Sequence, residues 1–210
     1  AEIRRQMRQL EEVALLSQAV ECHAAALDAD SEVEAWKDLY LAQWRRKNRP
    51  GIREAVVHLQ ALQSTSPRAR MWALACSGQL AFDEHQDDAS LSLVTQAREQ
   101  AQALGETEVV VWTSSMEAHS HALLNRPQQA LDGGRRCMAL ADALPHSVFS
   151  LGAVFNVGGA LELCGYLAES AEALRRAEDA FRVLDDPAAV ADVQCFQSIL
   201  AHHTGRVGEA

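Results

Sequence analysis

The feature that most constrains the fold of this chain is a sequence pattern that recurs at intervals of 40 residues. In segment 165–177 the pattern is typical of a helix end, a tight turn and the start of a second helix, with Ser170 early in that helix. Matching small residues, 40 apart except for a first interval of 35, are Ala55, Ser90, Ala130 and Ala210. A fixed period of this length indicates stacked structural repeats, each burying its apolar face against its neighbours.

The composition and the spacing of apolar residues favour helices throughout. Apolar residues make up 48% of the sequence and aromatic residues only 5%, which is typical of closely packed helices rather than of a sheet sandwich. We predict an all-α fold, a right-handed α-solenoid of antiparallel helix hairpins stacked in series. The predicted helices lie near 3–28, 32–47, 51–63, 68–84, 88–104, 107–124, 127–143, 147–164, 167–184 and 187–203.

The repeat divides the chain into an N-terminal helix and an array. We interpret residues 1–30 as a capping or linker helix and residues 31–210 as the repeat array. Ser31 and Glu34 have the spacing of a capping box, so we expect Ser31 to cap the second helix. Because the chain starts with Ala1 rather than Met and stops inside a predicted helix, we expect it to be part of a longer protein. The array units are 32–66, 67–106, 107–146, 147–186 and a truncated 187–210.

Three further positions repeat in register with the small residue early in each second helix. An apolar residue follows it by four positions, a small or apolar residue follows it by seven, and a small residue precedes it by twelve. Small residues let two helix backbones approach closely, and the larger residue fills the space between hairpins. The positions are, respectively, Leu59, Val94 and Leu174; Leu62, Ala97, Cys137 and Ala177; and Gly78, Ala118, Gly158 and Ser198.

Over residues 32–210 this pattern resembles the tetratricopeptide repeat (TPR) family, in the variant with longer helices and repeats near 40 residues. Two positions depart from it. Gly134 stands where other units have the larger apolar residue, so either a neighbouring side chain fills the space or the helix bends. Gln43 stands where the first unit should have its small residue, which leaves the register of that unit open.

In TPR proteins the first helices of successive hairpins line a concave surface on which ligands usually bind, and the resemblance implies the same surface here. Trp72 and Trp112 occupy equivalent positions, and Gly152 and Gly159 lack side chains on the next first helix. They predict an apolar slot with polar groups at its edge. The alternative is that the indoles pack between hairpins and the glycines only permit close contact. The implied ligand-binding residues are Trp72, Gln79, Phe82, Trp112, Ser115, His119, Phe155 and Glu162.

Charge and cysteine usage restrict the partners. The formal net charge of −10 argues against nucleic acid or an anionic membrane as a partner. The basic run 45–49, with Arg53, is a local exception that fits a site for a phosphate or an acidic partner, or a solvated helix end stabilised by the helix dipole. The five cysteines form no Cys-x-x-Cys pair, and we interpret them as reduced thiols used as small apolar residues in a cytoplasmic protein.

The sequence carries no catalytic or metal-binding motif. Glu117 and His121 share a helix face, as a metal-binding pair can, but the sequence places no third ligand beside them. It has no nucleophile elbow and no phosphate-binding glycine loop. We therefore expect no metal, no cofactor and no catalytic residue. No apolar run is long enough to predict a membrane span.

Together these features predict a non-catalytic interaction or sensory module of a larger bacterial signalling protein. We expect it to bind a peptide, a protein partner or a small ligand on its concave face. Arrays similar to this one precede diguanylate cyclase (GGDEF) domains or accompany transcription regulators, so an effector of either kind is expected outside this segment. The alternative is a structural scaffold or a homodimerisation domain without a small ligand, which would use the end helices or the acidic patch of Asp28, Asp30, Glu32 and Glu34.

Overall fold

The computed structural model describes residues 2–26, 28–144 and 148–205, and all regular secondary structure in these ranges is α-helical. The predicted all-α solenoid is thereby confirmed. Ala210 lies outside the described residues. The helices are α1 (Glu2–Ala26), α2 (Ala29–Arg45), α3 (Arg49–Leu62), α4 (Pro67–Asp83), α5 (Asp87–Leu104), α6 (Thr107–Leu123), α7 (Pro127–Ala141), α8 (Val148–Leu163), α9 (Leu167–Val183) and α10 (Pro187–His203).

Proline and glycine fix several of the helix ends. Pro67, Pro127 and Pro187 occupy the first turns of α4, α7 and α10, where a missing amide proton removes no helical hydrogen bond. Gly105 and Gly165 follow α5 and α8 with left-handed φ angles of 74° and 79°, which glycine adopts without a steric penalty. These signals explain why the predicted hairpins have nearly the observed bounds.

The predicted start of α2 is wrong, because Asp28 rather than Ser31 caps the helix. The carboxylate of Asp28 accepts a hydrogen bond of 3.3 Å from the backbone N–H of Ser31, and α2 begins at Ala29. This bond satisfies one of the free N–H groups of the first turn. Glu34 forms ion pairs with Lys37 and Arg68 instead of completing a capping box.

The repeated positions lie where the two helices of each hairpin pack together. The hydroxyl of Ser170 donates a hydrogen bond of 2.8 Å to the backbone carbonyl of Gly158, so the backbones of α8 and α9 approach closely at this point. The larger residues Val94 and Leu174 are fully buried beside their glycine partners. The described small residues that begin the pattern are also fully buried, namely Ala55, Ser90, Ala130 and Ser170.

The even-numbered helices form the inner side of the array. Each of α2, α4, α6 and α8 contacts the next even-numbered helix, whereas the described parts of the odd-numbered helices make no comparable contact with one another. The contact is most extensive between α6 and α8. The even-numbered helices are therefore the first helices that the resemblance assigns to the concave surface.

Both departures from the repeat pattern are compensated by neighbouring residues. A Cβ added at Gly134 would lie 3.1 Å from Cγ1 of Val157 and 3.6 Å from Cδ2 of Leu161, so α8 fills much of the space. A groove of about 390 Å³ remains beside it, between α7 and α9. In the first unit Gln43 is buried, and a Cβ added at Gly51 would lie 2.6 Å from its Cδ. In this unit the small residue is therefore Gly51 on α3, and it faces the larger Gln43 on α2.

Candidate functional site

The residues predicted to bind a ligand all lie on the inner helices α4, α6 and α8. The rings of Trp72 and Trp112 have centroids 6.3 Å apart and planes inclined by 37°. The two residues are only 4% and 7% exposed, and Nζ of Lys37 lies 5.5 Å from the centroid of the Trp72 ring. Such burial fits the alternative interpretation, in which the indoles pack between hairpins. Ligand binding between the indoles stays a prediction.

Two polar residues of the predicted set form hydrogen bonds within their own helices. The fully buried Ser115 donates a hydrogen bond of 2.7 Å to the backbone carbonyl of Trp112. Nε2 of Gln79 donates a hydrogen bond of 2.9 Å to the carboxylate of Asp83. These contacts hold the side chain of Ser115 against α6 and that of Gln79 against α4. Both side chains therefore lie along their own helices rather than projecting from the surface.

Half-buried rings cross the inner helices in a row. The rings of Phe82 and His119 have centroids 4.9 Å apart and planes inclined by 69°, and those of Phe155 and Phe196 have values of 5.1 Å and 86°. Edge-to-face contact of this kind is a favoured geometry for aromatic pairs. We call this surface, formed by Phe82, His119, Phe155 and Phe196 on α4, α6, α8 and α10, the aromatic row.

Gly159 joins the two halves of the aromatic row. A Cβ added to it would lie 3.6 Å from Cε1 of His119 and 3.3 Å from Cε1 of Phe196. The missing side chain therefore leaves room for rings from α6 and α10 to approach each other above α8. Gly152 differs, because no atom of the described residues lies within 4 Å of a Cβ added there.

His119 contributes a buried nitrogen atom to the row. Its Nδ1 has no hydrogen-bond partner among the described residues. Burial lowers the pKa of His119 to about 4, although the negative charge of Asp87 opposes the shift. The ring is therefore neutral near pH 7 and forms part of the apolar surface, with Nδ1 itself covered by the protein.

Carboxylates border the aromatic row. Burial raises the pKa of Asp83 above its usual value, and the hydrogen bond from Gln79 opposes this shift. On the other side, Oε1 of Glu162 lies 2.5 Å from Nδ1 of His203. The row thus combines an apolar centre with hydrogen-bond acceptors on α4 and α8.

Comparison with known proteins identifies the fold. No family model and no curated protein match the chain. The structure is similar to BtubC (BKLC) from P. vanneervenii, with a TM-score of 0.64, 17% identity and coverage of 96% of this chain and 86% of that one. It is also similar to a variant of a putative kinesin light chain from Podosopora anserina with nearly identical TPR-like repeats, with a TM-score of 0.54, 17% identity and coverage of 88% and 92%. The chain has a TPR-like repeat fold.

The sequence missed two exposed or half-buried aromatic residues of this TPR-like array. Phe196 lies on α10, in the last unit, and its equivalents Met116 and Asn156 are not among the predicted ligand positions. Trp44 stands 35 residues before Gln79, which is the interval between the first two units, and is 42% exposed. Extending the repeat register to the first unit would have found Trp44, but it does not lead to Phe196.

The remaining chemical candidates of the TPR-like array have other roles. Both carboxylate oxygens of Glu117 accept hydrogen bonds of 2.9 Å from Nε of Arg98, which ties α5 to α6. Burial, aided by the charge of Arg126, lowers the pKa of its neighbour His121. No three His, Cys, Asp or Glu side chains of the described residues converge on a metal-sized site. None of the described helices has both the length and the apolarity to cross a bilayer.

Proposed function

We propose that this TPR-like array is a non-catalytic protein-interaction module that binds an extended peptide segment of a partner along the aromatic row. All-helical TPR-like repeats are typically non-catalytic, and the fold suggests a module of this kind. The observation that carries the proposal is the meeting of His119 and Phe196 over Gly159. It makes one apolar strip out of rings from four successive inner helices.

The size of the strip suits a short extended peptide. Adjacent packed helices lie about 10 Å apart, so a row that crosses three helix-to-helix intervals spans about 30 Å. An extended chain rises about 3.3 Å per residue, and about nine residues would cover that span. The side chains of every second residue would face the rings.

The exposure of the side chains favours the aromatic row over the slot between the indoles. Trp72 and Trp112 are nearly inaccessible, whereas Phe82, His119, Phe155 and Phe196 are each half-buried. Half-buried rings are held in place by their neighbours and keep apolar area that a partner can cover, which is typical of interface anchors.

The experiment is a selection of random peptides of about nine residues on the immobilised protein, followed by affinity measurement. We expect Phe82→Ser and Phe155→Ser each to weaken a selected peptide by about tenfold, as loss of an interface anchor does. Val183→Ser is the matched control, because Val183 is an exposed apolar residue on α9, outside the inner helices. Thermal melting checks that each variant folds. Failure to select any peptide, or equal losses in all three variants, would contradict the proposal.

The regulation of an effector, whether a diguanylate cyclase or a transcription regulator, belongs to the same proposal and rests on the resemblance alone. This part of the proposal assigns the peptide site to a signalling protein. A sensory role would require that binding at the aromatic row changes the activity of the neighbouring domain. Measuring that activity with and without a selected peptide tests this part separately.

Self-association is a second candidate function, favoured by the exposed face of α1. Met7, Leu10 and Leu15 on this helix are 54%, 51% and 66% exposed, and exposed apolar clusters commonly mark interaction surfaces. Sedimentation velocity across a range of protein concentrations tests it. A dimer that Leu10→Glu dissociates would support self-association, and a monomer at all concentrations would exclude it.

A further inference from the structure

Most described Lys and Arg side chains form ion pairs, but a few do not. Arg45 pairs with Glu12 at 2.5 Å and Arg53 with Glu84 at 2.7 Å, so the cations on either side of the α2–α3 turn are neutralised. Some cations have no carboxylate of the described residues within ion-pair distance. Among the side chains that the structure describes, these free cations are Arg8, Arg46, Lys47, Arg49, Arg70 and Arg136.

Three of these free cations stand together, two in the turn between α2 and α3 and one at the first residue of α3, whereas the other three are scattered along the chain. We call Trp44, Arg46, Lys47 and Arg49 the cationic turn. Lys47 and Arg49 are exposed and Arg46 is half-buried. The carboxylate of Asp83 interacts electrostatically with Arg49. A chain with a net charge of −10 therefore keeps a small positive patch here, which Asp83 offsets only in part.

A helix dipole accounts for only part of this patch. The negative end of α2 favours cations in its last turn, which suits Arg45 and Arg46. Arg49 is different, because it is the first residue of α3, where the positive end of the dipole disfavours a cation. The sequence therefore places a guanidinium group at an electrostatically unfavourable position of its own helix. The charge of Asp83 offsets part of that penalty, and an external carboxylate would offset more of it.

The indole of Trp44 extends the patch. It is 42% exposed, while Trp36, Trp72 and Trp112 are each at most 7% exposed. Trp44 lies on the inner helix α2 in the last turn before the cations. A partner that binds the cations can therefore cover this ring as well.

We infer that the cationic turn is a docking surface for a carboxylate-rich segment of a partner protein. Guanidinium groups bind carboxylates through paired, charge-assisted hydrogen bonds. The carboxylates of Glu12, Asp83 and Glu84 flank the turn and confine the positive field to a few residues. A nucleic acid needs a more extended positive surface. The inference goes beyond the proposed function and does not depend on the aromatic row.

The test measures binding of a dye-labelled poly-glutamate peptide of about ten residues at about 50 mM salt, where surface electrostatics are weakly screened. Wild type should bind it, with affinity that falls as salt rises, and the tryptophan emission should change. The triple variant Arg46→Gln, Lys47→Gln, Arg49→Gln should lose about tenfold in affinity. The matched control Arg8→Gln, Arg70→Gln, Arg136→Gln removes the same charge from free cations elsewhere and should lose less than about twofold.

Several outcomes would overturn the inference. They are the absence of binding by folded wild type, equal losses in the two triple variants, and tighter binding of inorganic phosphate or a short duplex DNA at the same residues. Binding of poly-glutamate should persist in Phe82→Ser and Phe155→Ser. Loss of peptide binding at the aromatic row with retention of poly-glutamate binding would therefore separate failure of the proposed function from failure of this inference.

Discussion

Gly158 on α8 faces Leu174 on α9 so closely that a Cβ added at Gly158 would lie 2.7 Å from Cδ2 of Leu174. Real Cβ atoms do not approach a neighbour this closely without displacement. Gly78 and Val94 form the same pair between α4 and α5, with an expected distance of 2.5 Å. Each of these two hairpins thus closes on a glycine and a branched residue in fixed register.

We predict that Gly158→Ala destabilises the protein by about 1 to 3 kcal/mol, the usual effect of overpacking a close helix contact. Leu174 is fully buried, so a displaced side chain would press on other packed residues. Gly152→Ala in the same helix should instead stabilise it by up to about 1 kcal/mol, because alanine favours the helix and no atom of the described residues lies within 4 Å of the new Cβ. Chemical denaturation of both variants measures the free energies of unfolding. Changes of equal sign would contradict the assigned register.

Glu178 links α9 to α10, and we predict that Glu178→Ala costs about 1 to 3 kcal/mol, as loss of a shared buried acceptor does. Its carboxylate accepts hydrogen bonds from Gln197 at 2.9 Å and Gln194 at 3.0 Å and pairs with Arg182. Glu172→Ala is the control, since Glu172 pairs with Arg175 in full contact with solvent and should cost less than about 0.5 kcal/mol. Thermal and urea unfolding compare them, and equal losses would show that the link is unimportant.

The same carboxylate should make stability depend on acid. The hydrogen bonds from Gln197 and Gln194, with the charge of Arg182, lower the pKa of Glu178. A group with a lowered folded pKa stabilises the protein above its unfolded pKa and loses this contribution as pH falls through the folded value. Wild type should therefore lose more stability than Glu178→Ala below about pH 4.5. Parallel curves for the two proteins would contradict this.

His119 should produce a second pH dependence at higher pH. Burial lowers its pKa to about 4, whereas the unfolded value is about 6.5. Between these values the unfolded chain binds more protons than the folded one, so stability falls as pH drops from about 6.5 towards 4, by about 2 to 3 kcal/mol at pH 4.5. Urea unfolding at pH 7 and 4.5 should show this component in wild type and in the exposed-site control His202→Leu, but not in His119→Leu. Its persistence in His119→Leu would assign the effect to another group.

Thiol reactivity should divide the cysteines by burial. Burial raises the pKa of Cys137 to about 12 and that of Cys76 still further, and the thiolate is the reactive form. Cys22 and Cys195 are exposed, which corrects the expectation that all five serve as packed apolar residues. In the folded protein an aromatic disulfide reagent should modify Cys22 and Cys195 rapidly and leave Cys76 and Cys137 unmodified until the chain unfolds. Rapid modification of Cys76 would contradict the packing of α4.

The repeat period was enough to predict the fold because hairpin closure depends on single small residues at fixed spacing. Ser170 and Gly158 occupy the predicted register and share a hydrogen bond. Local choices between equivalent residues were harder to predict. Asp28 and Ser31 can both cap a helix, and only the three-dimensional path of the chain selects Asp28. The compensation of Gln43 by Gly51 likewise depends on a contact between helices that spacing alone does not show.

The candidate site was predicted less completely, because the sequence indicates which face of a helix a residue occupies but not how accessible its side chain is to solvent. Trp72 and Trp112 lie on the expected helices, yet each is covered by its neighbours. Phe82 and His119 are on the same helices and remain half-buried. The difference arises from packing between units, in which Gly159 brings Phe196 of the following unit towards His119. No intra-unit pattern contains that information.

The measurement that tests the central claim most directly is photo-crosslinking of a selected peptide to protein carrying benzoylphenylalanine in place of Phe82. The substituted ring keeps the position of Phe82 in the aromatic row, beside His119. We predict that the peptide crosslinks at position 82 and that an excess of unlabelled peptide suppresses the reaction. The same photoreactive residue at position 183, on α9 outside the inner helices, should give no crosslink. Crosslinking at 183 but not at 82 would contradict binding at the aromatic row.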